Sequence, residues 1–335
     1  MRTTVTQIAR AAGVSPATVD RVLNNRDGVR ARTRDIVMQT ATQLGYFGPV
    51  ADTATARMRM DFVLPAGSNS FIRALRKHLL DEATARPDVA VNVHDIEGFD
   101  PERLSARLRD LRGKTDAVGV VALDHPQVRE EINALAQSGA KIGTLVSDIP
   151  TVDKVGYVGV DNRAAGRVAG LLLGRFLPPA GRQRIAVFMG SLAYRGHEER
   201  EMGFRAILSE DFPELEVVGL AEVSDDRDRA YHETLRFLDS GNIAGIYNIG
   251  SGNQGIARAL RERQMERRVV FIGHDLTDAT RLMLLDRTMD AVIDQNPRVE
   301  AREILRLLTS SVRGAREPEY LPRLQVVFKE NIPTS

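Results

Sequence analysis

The spacing of apolar residues along this chain changes character near residue 60. Before it, apolar positions recur at helical spacing in three short groups: Ile8, Ala9 and Ala12, then Val19, Val22 and Leu23, then Ile36, Val37, Ala41 and Leu44. After it come short apolar runs separated by amphipathic stretches: "MDFVLP", "VAVNVHDI", "AVGVVAL", "KIGTLVS", "YVGV", "RIAVFMG", "VVGLAEV", "AGIYNIG", "VVFIGHD" and "AVIDQ". Helix-length segments lie between nearly all of these runs. That alternation predicts repeated β-α-β units and a largely parallel sheet. Ten or so strands exceed one comfortable sheet, so two doubly wound lobes are expected, with sites beyond the carboxyl ends of their strands.

The first sixty residues are strongly punctuated. Thr4 and Gln7 have capping-box spacing, so a helix is expected to start there and to stop at Gly13, a residue that takes positive φ without strain. Ser15 as N-cap and Pro16 at the first helical position start a second helix, and a third spans about 31 to 44 and ends at Gly45. Two short helices joined by a tight glycine turn and braced by a third form a helix-turn-helix, although an ordinary helical hairpin would satisfy the same spacing.

Composition narrows the class. At about 100 to 200 residues per domain, 335 residues imply two or three folding units, and 43% apolar residues suffice for real cores. The absence of cysteine removes disulfides, thiolate metal sites and a cysteine nucleophile. No apolar run reaches membrane-spanning length, and the opening Met-Arg-Thr-Thr-Val-Thr has no secretory apolar core, so a cytoplasmic location is expected. The net charge of +1 hides an asymmetry: residues 1–60 carry nine Arg and four Asp, while the remainder carries 37 basic and 41 acidic residues. A basic head on a slightly acidic body suits a head that meets nucleic acid.

The stretch "VTQIARAAGVSPATVDRVLNNRDGVRARTRDIVMQTATQLGY" resembles the DNA-binding headpiece of LacI-type transcription repressors. The resemblance lies in its Ala-Gly-Val-Ser turn, its Thr-Val-x-Arg-Val-Leu-Asn helix and its closing Leu-Gly-Tyr. It implies that Pro16, Ala17 and Arg21 face base edges in the major groove. Arg21 would specify, because its planar fork matches guanine O6 and N7, whereas Pro16 and Ala17 offer only apolar contact. Thr4, Ser15, Thr18, Asn24 and Arg30 would contact phosphate and fix register. Asp20 stands where the family often has Ser; it can pair with a neighbouring Arg or accept from a cytosine amine. The family's hinge helix carries a Leu that wedges into the minor groove. Here the hinge stretch reads "FGPVADTATARMRM", with Ala56-Arg57 kept and Met58 and Met60 where that Leu would be sought.

From residue 61 to 330 the chain resembles the periplasmic sugar-binding-protein fold that such repressors carry as their effector domain, in its ribose-binding-like branch. The runs "FVLPAGSNSF", "VGVDNRAAGR", "EEREMGF", "VFIGHD" and "VIDQNP" carry the likeness. It implies residues 1–47 as headpiece, 48–60 as hinge, and a two-lobed body. Lobe 1 would take about 61–160 and 295–317, and lobe 2 about 161–294 and 318–330, with crossings near Val160-Asp161, Asp294 and Pro318. A polyol pocket wants carboxylates, amides and an Arg fork over an apolar floor. By position the candidates are Asn69, Phe71, Ser147, Asp148, Arg200, Asn253, Asp275 and Gln295. Each also has a local reading: Asn69 can cap the helix at Ser70, Asp275 the helix near Thr277, and Arg200 can be a surface charge.

Together these features point to a homodimeric, operator-binding regulator, most simply a repressor, with a small sugar or polyol as effector and no cofactor or metal. A rival reading starts from "GSGNQG" at 250–255, which satisfies G-x-G-x-x-G with Asp275 twenty residues beyond, the pattern of a dinucleotide site and hence of an NAD(H)-sensing repressor. It ranks lower because such a fingerprint normally sits in the first β-α turn of its domain. No enzyme is expected: G-K-[ST], G-x-S-x-G and H-E-x-x-H are all absent, and of six His only His274 lies near the expected site. A secreted solute-binding protein would share the body but would replace the helix-turn-helix with a signal peptide.

Overall fold

The computed structural model describes residues 3–24, 29–44, 46, 57–67, 69–97, 99–316 and 320–333, and of residues 31, 42 and 43 the backbone alone. It divides into two units, Met1–Arg57 and Met58–Ser335.

In the first unit, α1 (Val5–Ala12) begins where Gln7 Oε1 accepts from the Thr4 N–H at 2.8 Å, and ends on Gly13 at φ +67°. Helix α2 (Pro16–Leu23) starts where Ser15 Oγ accepts from the Thr18 N–H at 3.1 Å, and α3 (Ala31–Gln43) closes the bundle. The core is small: Ile8, Ala9, Val19, Val22, Val37 and Ala41. Each larger aliphatic there contributes about 1.5 to 3 kcal/mol of burial. Two expected core residues lie outside it, since Ile36 and Leu44 are 43% and 40% exposed. Helix α3 packs through Val37 and Ala41, one turn apart, which rotates Ile36 about 100° away from the core. Gly45, the expected stop, and hinge residues 47–56 with Ala56 lie outside the described residues.

In the second unit, all ten apolar runs form strands, gathered into two sheets. The first contains β1 (Met58–Pro65), β2 (Val89–Ile96), β3 (Ala117–Val120), β4 (Lys141–Leu145) and β5 (Gly156–Val158), in the order β2-β1-β3-β4-β5, all parallel. Strand β1 therefore begins inside the expected hinge. Met58 and Met60 are strand residues and Met60 is fully buried in the lobe core, so neither fits the role of a minor-groove wedge. Helices α4 (Ser70–Thr84), α5 (Pro101–Asp110) and α6 (Pro126–Gln137) cover this sheet.

The second sheet contains β6 (Gln183–Met189), β7 (Leu215–Glu222), β8 (Ile243–Asn248), β9 (Val270–His274) and β10 (Ala291–Asp294), plus an eleventh strand that no apolar run announced, β11 (Gln325–Val327). Its order is β11-β10-β9-β8-β6-β7, parallel except that β11 runs antiparallel to β10. Helices α7 (Asn162–Phe176), α8 (Arg195–Asp211), α9 (Arg227–Asp239), α10 (Asn253–Glu262) and α11 (Asp278–Leu285) flank it. Two clusters, one around Phe188, Ile256 and Phe271 and the other around Phe204, Tyr247 and Ile272, make this sheet buried on both faces, as a parallel sheet requires.

The chain passes from the first lobe to the second between β5 and α7. It returns after β10, because α12 (Pro297–Val312) packs Ile304, Leu305 and Leu308 into the first lobe's core. The approach is close: a Cβ on Gly143 of β4 would lie 2.7 Å from Ile304 Cδ1. The last passage lies between α12 and β11; Pro318 falls outside the described residues. In each sheet the strand order reverses beside the lobe's first strand, β1 or β6, and at such points the strands' carboxyl ends open a crevice.

Candidate functional site

The loops leaving the strand ends bend sharply. Val146, Asp225, Asp275 and Asn296 follow β4, β7, β9 and β10, and all four have left-handed φ, from 55° to 71°. For non-glycine residues that geometry costs about 1 to 3 kcal/mol each, tolerated where surrounding contacts over-determine it. These bends aim side chains into a cavity between the lobes. Phe71, Ile72, Val121 and Tyr194 give it an apolar wall; Asn69, Ser147, Asn162, Arg200, Asp225, Asp275 and Gln295 give it polar groups.

Arg200 is the hub. It is only 3% exposed, which removes the surface-charge reading. Its Nε donates to Asn162 Oδ1 at 2.7 Å, Nη1 to the Ile249 carbonyl at 2.9 Å, and Nη2 to Gln295 Oε1 at 2.7 Å. Gln295 Nε2 in turn donates to Asp275 Oδ1 at 2.7 Å. The guanidinium thus ties α7, β8 and the β10 end together while still lining the cavity, each charge-assisted bond worth about 1.5 to 3 kcal/mol. Glycines hold Arg200 there. A Cβ on Gly166 of α7 would fall 1.9 Å from the Arg200 carbonyl oxygen, and one on Gly203 of α8 would fall 2.0 Å from that of Arg163. Only hydrogen at both places lets the two helices meet so closely.

Across the cavity, Asn69 does two things at once. Its Oδ1 accepts from the N–H groups of Phe71 and Ile72, capping α4, and its Nδ2 donates to Asp225 Oδ2 in the other lobe at 2.9 Å. Ser147 Oγ accepts from the Gly196 N–H at 3.2 Å, and Asn253 is held between Asn248 Nδ2 at 2.7 Å and the His274 carbonyl at 3.1 Å. Six of the eight expected residues therefore line the main cavity, and Asn253 lines its extension along the 250–254 loop. Asp148 does not join them. Its carboxylate accepts from the Thr144 hydroxyl at 2.5 Å and pairs with Lys154 at 2.8 Å, a contact within its own lobe. Nor does Asp275 cap a helix: Thr277 caps α11.

Burial dominates the electrostatics. It pushes Asp275 up to about 7, against the pull of Arg200 and the Gln295 hydrogen bond. It pushes His197 down to about 4 despite nearby Asp225, and raises the Tyr194 hydroxyl. His274, read from sequence as a site neighbour, is fully buried and hydrogen-bonded to the Tyr247 hydroxyl at 2.8 Å, with burial holding it neutral. Glu300 on α12 is fully buried as well, and burial with nearby Asp275 keeps it protonated far above the usual carboxylate range.

Sequence reasoning missed Asp225, Asn162, Tyr194 and His197; the last lines the main cavity, although His274 alone among the histidines was expected near the site. Asp225 carried a signal: "SDD" follows a strand run and places Asp225 one residue before the helix cap Asp226, in a strand-to-helix loop like the one that holds Asn69. The three glycines of "GSGNQG" meet protein. A Cβ on Gly250 would lie 2.8 Å from the Gly190 nitrogen and one on Gly255 2.0 Å from the Arg227 carbonyl oxygen, while Gly252 takes φ +115°. Packing thus accounts for the fingerprint, in the third strand of its lobe and not the first.

In the helical unit, Pro16, Ala17 and Arg21 are exposed on α2, with Thr4, Ser15, Asn24 and Arg30 also exposed and Thr18 half-buried. Ser15 and Thr18 share a hydroxyl contact at 2.9 Å. Asp20 has a local partner: Asn24 Nδ2 donates to its carboxylate at 2.8 Å and to its carbonyl at 3.0 Å.

Residues 60–316 match the family model for the periplasmic binding protein domain, and residues 4–48 match that for bacterial regulatory proteins, lacI family. The chain is 24% identical over 279 residues to catabolite control protein A of Priestia megaterium, covering 82% of this chain and 75% of that one. It is 26% identical over 330 residues to the HTH-type transcriptional regulator CelR of Thermobifida fusca, covering 93% of each. The solved glucose-galactose binding protein GanP of Geobacillus stearothermophilus shares the fold, with a TM-score of 0.76 at 21% identity over 83% of this chain and 99% of that one.

Proposed function

The chain belongs to the lacI family of bacterial regulatory proteins, DNA-binding regulators of transcription, and we propose that it is a repressor whose operator affinity is set by a small sugar or polyol in the interlobe cavity. The observation that carries this reading is the convergence of Asn69, Ser147, Arg200, Asp275 and Gln295 on one apolar-walled cavity at the strands' carboxyl ends. Amides, a carboxyl and a guanidinium over aromatic and aliphatic walls match a ligand with many hydroxyls, each both donor and acceptor. GanP, a sugar-binding protein, shares the fold.

On this reading the protein acts in the cytoplasm as a homodimer on a pseudo-palindromic operator, because two-fold protein symmetry calls for matched half-sites. Arg21 reads a base edge, while Thr4, Ser15, Thr18, Asn24 and Arg30 hold phosphates, so affinity falls steeply with salt. The ligand acts by binding one arrangement of the lobes more tightly than another. Ligand and operator are then coupled reciprocally, and the ligand is bound, not turned over.

A thermal-shift screen against pentoses, hexoses, inositols and NADH tests the proposal. A ligand at about 100 times its dissociation constant stabilises by roughly 2.7 kcal/mol. Stabilisation by a sugar or polyol is expected. A response to NADH alone would overturn the reading and make the glycine loop a cofactor site.

A further inference from the structure

Arg200 does not face the cavity alone. His197 lies three residues earlier on α8 and lines the same space, since residues three apart on a helix share a face. The two side chains differ in what they offer. A guanidinium can only donate, whereas a neutral imidazole accepts through one nitrogen while it donates through the other. Burial, which pushes His197 down to about 4, keeps its ring neutral near pH 7 in spite of the nearby Asp225 carboxylate.

The ring is held on three sides. Nδ1 lies 3.1 Å from the Ser191 carbonyl oxygen and 3.3 Å from the Ser191 nitrogen, so the backbone of one residue serves it whether it donates or accepts. Tyr194 meets the ring edge to face, with 5.5 Å between centres and 76° between planes. A Cβ on Gly190 would fall 2.9 Å from His197 Cε1, so the glycine after β6 makes room for the ring.

Nε2 stands apart from these contacts. With Nδ1 turned to the Ser191 backbone, the edge that carries Nε2 is the one left for the cavity, and Nε2 has no hydrogen-bond partner among the described residues. His274 is the contrast: it is fully buried and its Nε2 is already engaged by the Tyr247 hydroxyl at 2.8 Å.

We propose that His197 contacts the effector through Nε2 and helps to set which pattern of hydroxyls the cavity accepts. This rests on the interlobe cavity being the effector site. Arg200 and His197 then hold two hydroxyls from one helix face with different demands. The hydroxyl on Arg200 must accept. The one on Nε2 can donate or accept, because Ser191 satisfies Nδ1 in either tautomer. A ligand with no hydroxyl at that place leaves Nε2 unpaired and is selected against.

Calorimetric titration of the full-length protein tests this with pentoses, hexoses and inositols and, for each that binds, its monodeoxy derivatives. Wild type is expected to bind at least one derivative about tenfold more weakly than its parent. His197→Phe, or His197→Met should the larger side chain prevent folding, is expected to bind that derivative and the parent alike while keeping the discrimination at other positions. His197→Gln, whose amide carries both a donor and an acceptor, should restore part of the difference. Three results would overturn the inference and leave the cavity reading standing: a wild type that binds every derivative as tightly as its parent, discrimination unchanged at every position in the apolar variant, or equal weakening of parent and all derivatives. Binding by no sugar or polyol would remove the cavity reading and this inference together.

Discussion

Asp275 concentrates the cavity's chemistry in one carboxyl group, and pH reads it directly. With burial lifting it from 3.8 to about 7, the folded protein holds a proton between those values that the unfolded chain releases. The stability it contributes is therefore fully present below about pH 4 and is lost as pH rises to about 7. Asp275→Asn removes that slope, so the variant's melting temperature relative to wild type should climb from about pH 5 to about pH 8, by the equivalent of about 2 to 4 kcal/mol. His197, lowered from 6.5 to about 4, slopes the other way, losing stability as pH falls, but it is common to both proteins and cancels in the comparison. A constant offset between the two melting curves would show that Asp275 stays ionised. On α2, Arg21→Ala should relax preference at one base position per half-site, at a cost of about 1 to 3 kcal/mol for the preferred base. An equal loss for every sequence in a competition binding assay would make Arg21 a phosphate contact. Residue types and their places at strand ends were readable in advance for Asn69 and Gln295, and Arg200, inside α8, was readable only through the resemblance. Asp148 was not, because one peptide unit at Val146, bent to φ 65°, decides which neighbour faces the cavity, and Ser147 took that place.

At the scale of elements, glycine spacing does more than hydrophobicity to place the site. Helices α7 and α8 meet through Gly166 and Gly203, and that contact sets the reach of Arg200. Gly203→Ala, which would push against the Arg163 carbonyl, should destabilise by about 1 to 3 kcal/mol and also weaken ligand binding. Melting and calorimetry together check this; a stability loss with unchanged affinity would separate Arg200 from the helix contact. Ten strands and the three amino-terminal helices were legible because each is bounded by a cap, a glycine or a change of period. The eleventh strand was not, being three residues long, antiparallel and at a sheet edge, with too few residues for any period. The hinge boundary shifted for a related reason: Met58 and Met60 read as candidate wedge residues only until pairing with β2 and β3 placed Met60 in a core.

At the scale of the whole molecule, the return of α12 to the first lobe is what couples the lobes. Gln295, between β10 and α12, sits at that crossing and joins Arg200 to Asp275. No local pattern announces such a crossing; it was legible only through resemblance to two-lobed binding proteins. A ligand that favours one lobe arrangement biases the crossing, and a regulator needs that bias to reach its operator contacts. The most direct test is fluorescence anisotropy of labelled operator DNA with wild type and Arg200→Ala, titrated with whichever sugar or polyol stabilises the protein. Arg200→Lys, which keeps the charge, serves as the control if the alanine variant does not fold. Wild type is expected to show a ligand-dependent change in operator affinity, about 5- to 150-fold for a typical coupling. The variant is expected to show no such change while still binding operator. A variant that responds at the same ligand concentrations would remove Arg200 from the effector site, and a wild type whose operator affinity ignores a ligand that binds it would overturn the coupling of cavity to operator.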